Sequence, residues 1–339
     1  MTSNGKQRIL VAPLDWGMGH ATRCAPLIDG WLAEGHEVIL ASNGRSACWL
    51  KQRYPQIEVL TDIPDYAVTY PADGNMTFHF AKHLLRLLRV VHEEHDWLRR
   101  IVNTRSITCI YSDNRYGLHH KDVPSALITH QLYVRVPWWA RFPINRMMHS
   151  YFNRFHAIWV PDNREAPLLS GVLSHGGRWD KKARYIGPLS RFSQFSEKVS
   201  ESQFEIVALI SGPEPTRTSF EQQLRQIILA TNLKSLIVQG RPEETYHESE
   251  GNLSVVNHLP DSVLAAALRG ASLIICRSGY STLMDLAALG VRALLVPTPG
   301  QTEQEYLANY HTEQGTHDAV AQSHLKQEVL LSALRRNQP

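Results

Sequence analysis

Two groups of residues in this chain combine types and spacings that could do chemistry. The first is Gly17, Gly19 and His20 in "DWGMGHATRC" (15–24), directly after the apolar run "RILVAPL" (8–14). Glycines where a strand gives way to a helix let backbone N–H groups approach a ligand, and the positive end of a helix favours negative charge. That same positive end disfavours an imidazolium, so His20 is expected to be neutral near pH 7 and able to accept a substrate proton. A tight turn with a packed or capping His20 is the alternative reading. The spacing is not G-x-G-x-x-G, since position 22 is Thr, and "ASNGR" rather than an acid follows the next apolar run, so a dinucleotide site is poorly supported. Two acids compete with His20 as base: Asp113 in "YSDNRYG", where "SDNR" also reads as a turn, and Glu214 in "SGPEP". His130, after "SALIT", either lines the site of an acceptor or is a satisfied buried histidine.

The second group lies in "CRSGYSTLMDLAALGVRALLVPTPGQTEQEYLAN" (276–309). Arg277, Ser278 and Gly279 turn an apolar run into a helix that starts with Tyr280, Ser281 and Thr282. Exposed amides, hydroxyls and a helix start make a phosphate cradle, with Arg277 adding fixed positive charge. Asp285, six residues past Gly279, could hold a diol such as a ribose; a solvated helix acid is the plainer reading. The cluster Gln301, Glu303, Gln304 and Glu305 suits sugar hydroxyls, or is an ordinary acid-rich helix start.

These groups need elements to position them. Apolar runs at 8–14, 36–42, 107–112, 125–129 and 157–161 alternate with helical patterns near 20–34, 44–54, 77–103 and 143–155. The series restarts with "FEIVALISG" (204–212) and continues through 235–239, 253–257, 272–276 and 293–297, with helices near 218–231, 261–268, 281–289, 303–314 and 324–336. Such alternation predicts βαβ units and mostly parallel sheets. The predicted fold is α/β, two Rossmann-like doubly wound domains facing across a cleft, joined near the Ser-rich stretch 186–203. The boundaries expected are 1–188 for an acceptor-side domain and 189–322 for a donor-binding domain. A helix in 323–339 is expected to pack back on the first. Ligands of doubly wound sheets sit beyond the C-terminal strand ends, so the exits at Asp15 and Ser211 are expected to face the cleft.

Bulk properties narrow the class. The chain has 339 residues, 43% apolar and 20% charged, enough for large cores. A net charge of +3 gives no argument for nucleic acid as a partner. The four cysteines are far apart with no Cys-x-x-Cys pair, which argues against a zinc cluster and fits a reducing compartment; no metal ligands are expected. The polar start "MTSNGKQR" and the absence of an apolar run of ~20 residues predict a cytoplasmic protein without a signal peptide or membrane span.

The 276–309 stretch resembles the C-terminal donor-binding signature of GT-B glycosyltransferases of family 28, the MurG-like enzymes, and the glycine loop at 17–19 is similar to their N-terminal loop. Residues 60–200 depart from that pattern, as in an uncharacterised bacterial branch. The resemblance implies a UDP-sugar donor as co-substrate, no cofactor, and transfer with inversion to an acceptor hydroxyl. It implies that Asp285, in place of a Glu, binds the ribose diol, and that the amides of Ser278 to Thr282 hold the diphosphate. It implies further that Gln304, with Glu303 beside it, meets the donor sugar, that the backbone at Leu259 reads uracil, and that Arg191 lies near the phosphates. "SGPEP" replaces the family's Gly-Gly-Ser loop, which puts phosphate contacts at Ser211 and Gly212 in question.

Between Val123 and Pro161 there is no Asp or Glu, while Arg135, Arg141, Arg146 and Arg154 interleave with Trp138, Trp139, Phe142, Met147, Met148, Tyr151 and Phe152. Residues 133–155 therefore read either as a surface for an anionic membrane or as core aromatics with a solvated arginine rim. Membrane contact would suit a lipid-linked acceptor and a peripheral position on the inner face of the cytoplasmic membrane. Two rivals stand beside a transferase: a UDP-sugar 2-epimerase of the same fold, and a non-catalytic UDP-sugar-binding subunit.

Overall fold

The computed structural model describes residues 5–66, 76–135, 138–177, 179, 182–195 and 203–337, with the side chains of 76–85, 140, 141 and 337 left out. The chain divides into two compact units that part between Leu189 and Ser190.

Among the described residues the first unit holds seven strands: β1 (Arg8–Pro13), β2 (Glu37–Ala41), β3 (Val59–Leu60), β4 (Cys109–Asp113), β5 (Ser125–Ile128), β6 (Ala157–Val160) and β7 (Ala183–Tyr185). They form one parallel sheet in the order β3-β2-β1-β4-β5-β6-β7. Its helices are α1 (Gly19–Ala33), α2 (Gly44–Arg53), α3 (Met76–Arg105) and α4 (Trp138–Phe152). Strands buried on both faces must be apolar throughout, which is why Ile9, Leu10, Val11 and Ala12 run without a polar interruption and are all buried. One core cluster packs Leu10, Ile39 and Ile110 against Trp97, Leu98 and Ile101 of α3.

The second unit contains β8 (Ile206–Leu209), β9 (Ser235–Val238), β10 (His247–Glu250), β11 (Leu253–Val256), β12 (Leu273–Cys276), β13 (Leu294–Leu295) and β14 (Asp318–Ala319). The order is β10-β11-β9-β8-β12-β13-β14, with β10 antiparallel to β11 and the other pairs parallel. Helices α5 (Thr216–Leu229), α6 (Asp261–Gly270), α7 (Tyr280–Leu289), α8 (Thr302–Glu313) and α9 (Gln327–Asn337) accompany them. Leu330, Ala333 and Leu334 of α9 join Ile206, Phe220, Leu224 and Ile275 in one core cluster. The apolar face of this last helix completes the core of the second unit.

In each sheet the strand order reverses beside the unit's first strand, between β1 and β4 and between β8 and β12. Ligands of such sheets gather at that switch point, outside the carboxyl ends of the strands.

Candidate functional site

At the switch point of the first unit, Pro13, the last residue of β1, pairs in register with Asp113, the last of β4. The Leu14 N–H donates to the Asp113 carbonyl at 3.1 Å. Gly17 then takes φ +98°, a conformation that favours glycine, and α1 begins at Gly19. Asp15 and Gly17 are tied to the start of α2: the Ser46 N–H donates to Asp15 Oδ1 at 3.2 Å and the Ser46 hydroxyl to the Gly17 carbonyl at 3.3 Å.

The structure brings the two leading base candidates together. His20 Nδ1 lies 2.8 Å from Asp113 Oδ1. Asp113 is fully buried, and Arg23, one turn along α1 and also buried, grips it with two hydrogen bonds, Nε to Oδ2 at 2.5 Å and Nη2 to Oδ1. Burial alone would push the Asp113 carboxyl up, but the charges and hydrogen bonds of Arg23 and His20 outweigh it and hold it well below the usual carboxylate range. Burial, reinforced by the Arg23 charge, lowers the His20 pKa from its ordinary value despite the pull of Asp113. An ionised Asp113 accepts the Nδ1–H of His20 and leaves the Nε2 lone pair as the basic position. His20 keeps 16% of its side-chain surface exposed, whereas Asp113 has none. The two candidates thus form one hydrogen-bonded pair, in which a carboxylate can orient the imidazole and the imidazole can move a proton. His130 is buried, its Nδ1 3.2 Å from Arg23 Nη1.

A second buried ion pair supports this end of the sheet. Arg115 donates to Glu94 Oε1 at 2.9 Å and to the Pro13 carbonyl at 3.2 Å, while Tyr66 and the Gly117 N–H donate to Glu94 Oε2 at 2.7 and 3.0 Å.

At the switch point of the second unit, β8 runs into the exposed Ser211 and then Gly212, which takes φ +105°. Across from it β12 ends at Cys276, and Gly279 caps α7 in an extended conformation. Tyr280 is buried in the first turn of α7, with Ser281 and Thr282 half-buried beside it. The Ser278 hydroxyl donates to the Gln304 carbonyl at 2.7 Å and so ties this turn to α8. The Gln304 side chain is engaged within its own loop: Oε1 accepts from the Thr298 N–H at 2.9 Å and Nε2 donates to Gln301 Oε1 at 2.5 Å. Glu303 lies in the first turn of α8, and Leu259 precedes the cap of α6. Thr298 is 2% exposed and its hydroxyl finds no partner.

Several expected site residues have other partners. Arg277 is buried, and its guanidinium donates to the carbonyls of Val296, Pro297 and Thr216 and to Gln322 Oε1. Burial lowers its pKa to about 9. It therefore braces the loops behind the α7 turn. Arg191 donates to Asp261 Oδ1 at 2.9 Å, with Nε 3.7 Å from Asp285 Oδ2, so its charge is spent on two carboxylates. Asp285 also accepts from the Ser190 hydroxyl at 2.6 Å. Burial raises its pKa to about 6 against the lowering influence of Arg191 and Ser190.

Glu214 accepts from the backbone and hydroxyl of Thr218 and forms ion pairs with Arg217 and Arg241. Its burial is outweighed by these contacts, which lower its pKa; the arrangement is that of a helix-end carboxylate and not of a base. Among the described residues, no group of three or more His, Cys, Asp or Glu side chains could hold a metal ion.

Sequence reasoning missed Arg23 and Ser190. Arg23 carried one signal, a charged residue set among Ala21, Cys24 and Ala25 on the buried face of α1.

Residues 208–338 match the Glycosyltransferase family 28 C-terminal domain. The second unit is thus similar to the C-terminal domain of family 28 glycosyltransferases, and the chain has the GT-B fold of the solved structures named below. The family match takes in the second sheet from β8 to α9, including the Ser278–Asp285 turn and helix. The UDP-N-acetylglucosamine--N-acetylmuramyl-(pentapeptide) pyrophosphoryl-undecaprenol N-acetylglucosamine transferase of Pasteurella multocida (strain Pm70) is 26% identical over 164 residues, 45% of this chain and 46% of that protein. The chain thus spans about half the length of the curated relatives it matches, as with the 46% covered here. Two solved structures share the fold over 98% of this chain. They are the glycotransferase of kitacinnamycin (16% identity, TM-score 0.63, 90% of that chain) and Acinetobacter baumannii MurG (13%, 0.57, 92%).

The raised Asp285 pKa has a measurable consequence. Its contribution to stability is complete below the unfolded value near 3.8 and is lost as pH rises through about 6. Asp285→Asn should therefore be more stable than the parent above pH 6, by roughly 1–2 kcal/mol, with the difference closing below about pH 4. Urea unfolding of both proteins across that range checks it.

Proposed function

We propose that the protein is an inverting glycosyltransferase that moves a sugar from a UDP-sugar to an acceptor hydroxyl. The observation that carries this reading is the family 28 match over 208–338, which encloses the α7 turn. In the proposed complex the second unit holds the donor. The amides of Gly279 to Thr282 and the α7 dipole stabilise the diphosphate as negative charge grows on it. Arg277, which donates to neutral oxygens and lies over the Phe220 ring, adds its charge from behind that turn. Asp285 has lone pairs beyond those met by Ser190 for a ribose hydroxyl. The backbone at Leu259 meets the base, and Gln304 exchanges its Gln301 contact for the sugar.

The first unit supplies the acceptor chemistry. His20 Nε2 takes the acceptor hydroxyl proton as that oxygen bonds to the anomeric carbon, the anomeric C–O bond breaks, and UDP leaves with the electron pair. Asp113 orients the imidazole and stabilises the imidazolium that forms. Asp113, held ionised by Arg23, is a poor proton acceptor by itself. Metal is not required in this scheme; the chain carries no Asp-x-Asp motif.

We also propose that the start of α4 rests on an anionic membrane, where a lipid-linked acceptor would be found. Trp138, Trp139 and Phe142 are 87%, 65% and 76% exposed, whereas Phe152 at the other end of α4 is buried in the core. Arg135, Arg146 and Arg154 are exposed along the same segment; the Arg141 side chain lies outside the described residues. Aromatic rings suit the lipid headgroup region, and each nearby Arg adds about 1 kcal/mol of attraction to an anionic surface. No described helix is long and apolar enough to cross a membrane.

Thermal unfolding with UDP, TDP, GDP and their sugars tests the donor. A UDP species at a hundredfold excess over Kd should add about 2.7 kcal/mol of stability, and the others less. With donor and acceptor supplied, His20→Ala should lower kcat by roughly 10²- to 10⁴-fold while leaving the UDP shift intact. Full activity in that variant would remove His20 from the mechanism. Interconversion of UDP-GlcNAc without acceptor would favour the epimerase, and binding without turnover the binding subunit.

For the membrane surface, the triple variant Trp138→Ala, Trp139→Ala, Phe142→Ala should lose most sedimentation with phosphatidylglycerol vesicles and little of its donor binding. Unchanged sedimentation would assign the patch elsewhere.

A further inference from the structure

Arg23 stands on a residue that sequence patterns passed over, and its three contacts have a joint consequence. Its Nε and Nη2 donate to the two oxygens of Asp113, and its Nη1 lies 3.2 Å from His130 Nδ1. All three residues are buried. A guanidinium can only donate hydrogen bonds, so the His130 Nδ1 facing it is the accepting nitrogen, and a neutral His130 carries its proton on Nε2. Asp113, ionised by the same guanidinium, accepts from His20 Nδ1 at 2.8 Å, so a neutral His20 carries its proton on Nδ1. One arginine thus acts on two imidazoles, on one through a carboxylate and on the other directly, and the two outcomes are opposite.

We propose that Arg23 is a positioning residue that sets opposite proton placements on two rings, making His20 an acceptor at Nε2 and His130 a donor at Nε2. The proposal deepens the reading of His20 as the base and rests on it. The placement is geometric. Arg23 lies on α1 one turn from His20, Asp113 ends β4, and His130 follows β5, so three neighbouring elements meet at one planar fork. A lysine could keep the charge but not the three fixed donor directions. The titratable and charged groups facing His20 are Arg23 from its own helix, Asp113 from β4 and His130 from the segment after β5. Cys24 reaches the same carboxylate, its thiol donating to Asp113 Oδ2 at 3.4 Å; burial and Asp113 push that thiol well up, so it remains a donor. When His20 takes the acceptor proton on Nε2 it becomes an imidazolium. The Arg23 charge opposes that state and Asp113 favours it, so the proton can be returned to solvent after each turnover.

The test begins with the full-length wild-type protein labelled with ¹⁵N-histidine, in which two-bond ¹H–¹⁵N spectra report the protonated nitrogen of each ring. The expected result at pH 7.5 is Nδ1–H for His20 and Nε2–H for His130, each assigned by its His→Gln variant. The reverse tautomer at either ring overturns the proposal, and this measurement needs no turnover.

Arg23→Met should then release His130 to a tautomer mixture. It should also move the acid limb of kcat/KM, which follows His20, to higher pH by about half a unit or more, because the repelling charge is gone. It should lower kcat about tenfold or more while the donor KM stays within about twofold. Arg23→Lys should restore most of the acid limb but not the His130 tautomer. A residue of purely structural role would lower the melting temperature and leave the tautomers and the limb unmoved, and that result refutes the proposal. If no sugar is ever transferred, the proposed function fails while the spectra still decide the role of Arg23.

Discussion

A carboxylate with no solvent exposure is the constraint around which the first unit is arranged. Burying an unpaired charge costs far more than any single packing contact returns, so Asp113 demands a cation and hydrogen-bond donors in fixed places. Arg23 supplies the cation, and it can do so only if α1 starts directly after the β1 loop and runs across the end of β4. His20 is carried into position by the same helix. The neighbouring Arg115–Glu94 pair grips the Pro13 carbonyl, so two buried ion pairs lie on either side of the point where the strand order reverses. The turn of the glycine loop, with Gly17 in a conformation few other residues adopt, is what lets the chain leave β1 and enter α1 over so short a distance.

The second unit solves the same topological problem with different chemistry. Leaving aside the antiparallel edge strand β10, its strand order is that of the first six strands of the first unit, and again a glycine at positive φ follows the leading strand. At its switch point, however, the polar groups are backbone amides, hydroxyls and the buried Arg277. Asp285 and Asp261 sit apart from that turn and share Arg191. The first switch point thus gathers a carboxylate, a guanidinium and an imidazole, the second amides, hydroxyls and a guanidinium; in the proposed reaction they would serve proton removal and departure of a diphosphate.

Much of this was legible in the sequence because parallel strands covered on both faces have to be continuously apolar, and the helices between them keep a 3.6-residue period. The runs at 8–14, 107–112 and 272–276 fall on β1, β4 and β12. The polar strand "HESE" of β10 was not legible, since it lies at an edge and pairs only with β11. The two-residue strands β3, β13 and β14 are too short for any period to show, although the apolar run at 293–297 marked β13. For the site, His20 and Asp113 could each be read from position, but not their contact: 93 residues separate them, and only the parallel pairing of β1 with β4 closes the gap. The partners of charged residues are hidden in the same way. Glu214, Arg191 and Arg277 look available in the linear chain, whereas Thr218, Asp261 and a set of carbonyls already engage them.

The Gln304 side chain is engaged within its own loop. Its amide spans a backbone N–H and the Gln301 side chain, so a hydroxyl that bound there would trade places with an internal partner instead of displacing bulk water. Such an exchange is nearly neutral when the newcomer replaces each lost bond and costly when it leaves one unmade. The loop would act as a gauge of completeness: a guest with its full set of hydroxyls is admitted at little expense, and a deoxygenated one is refused without any clash.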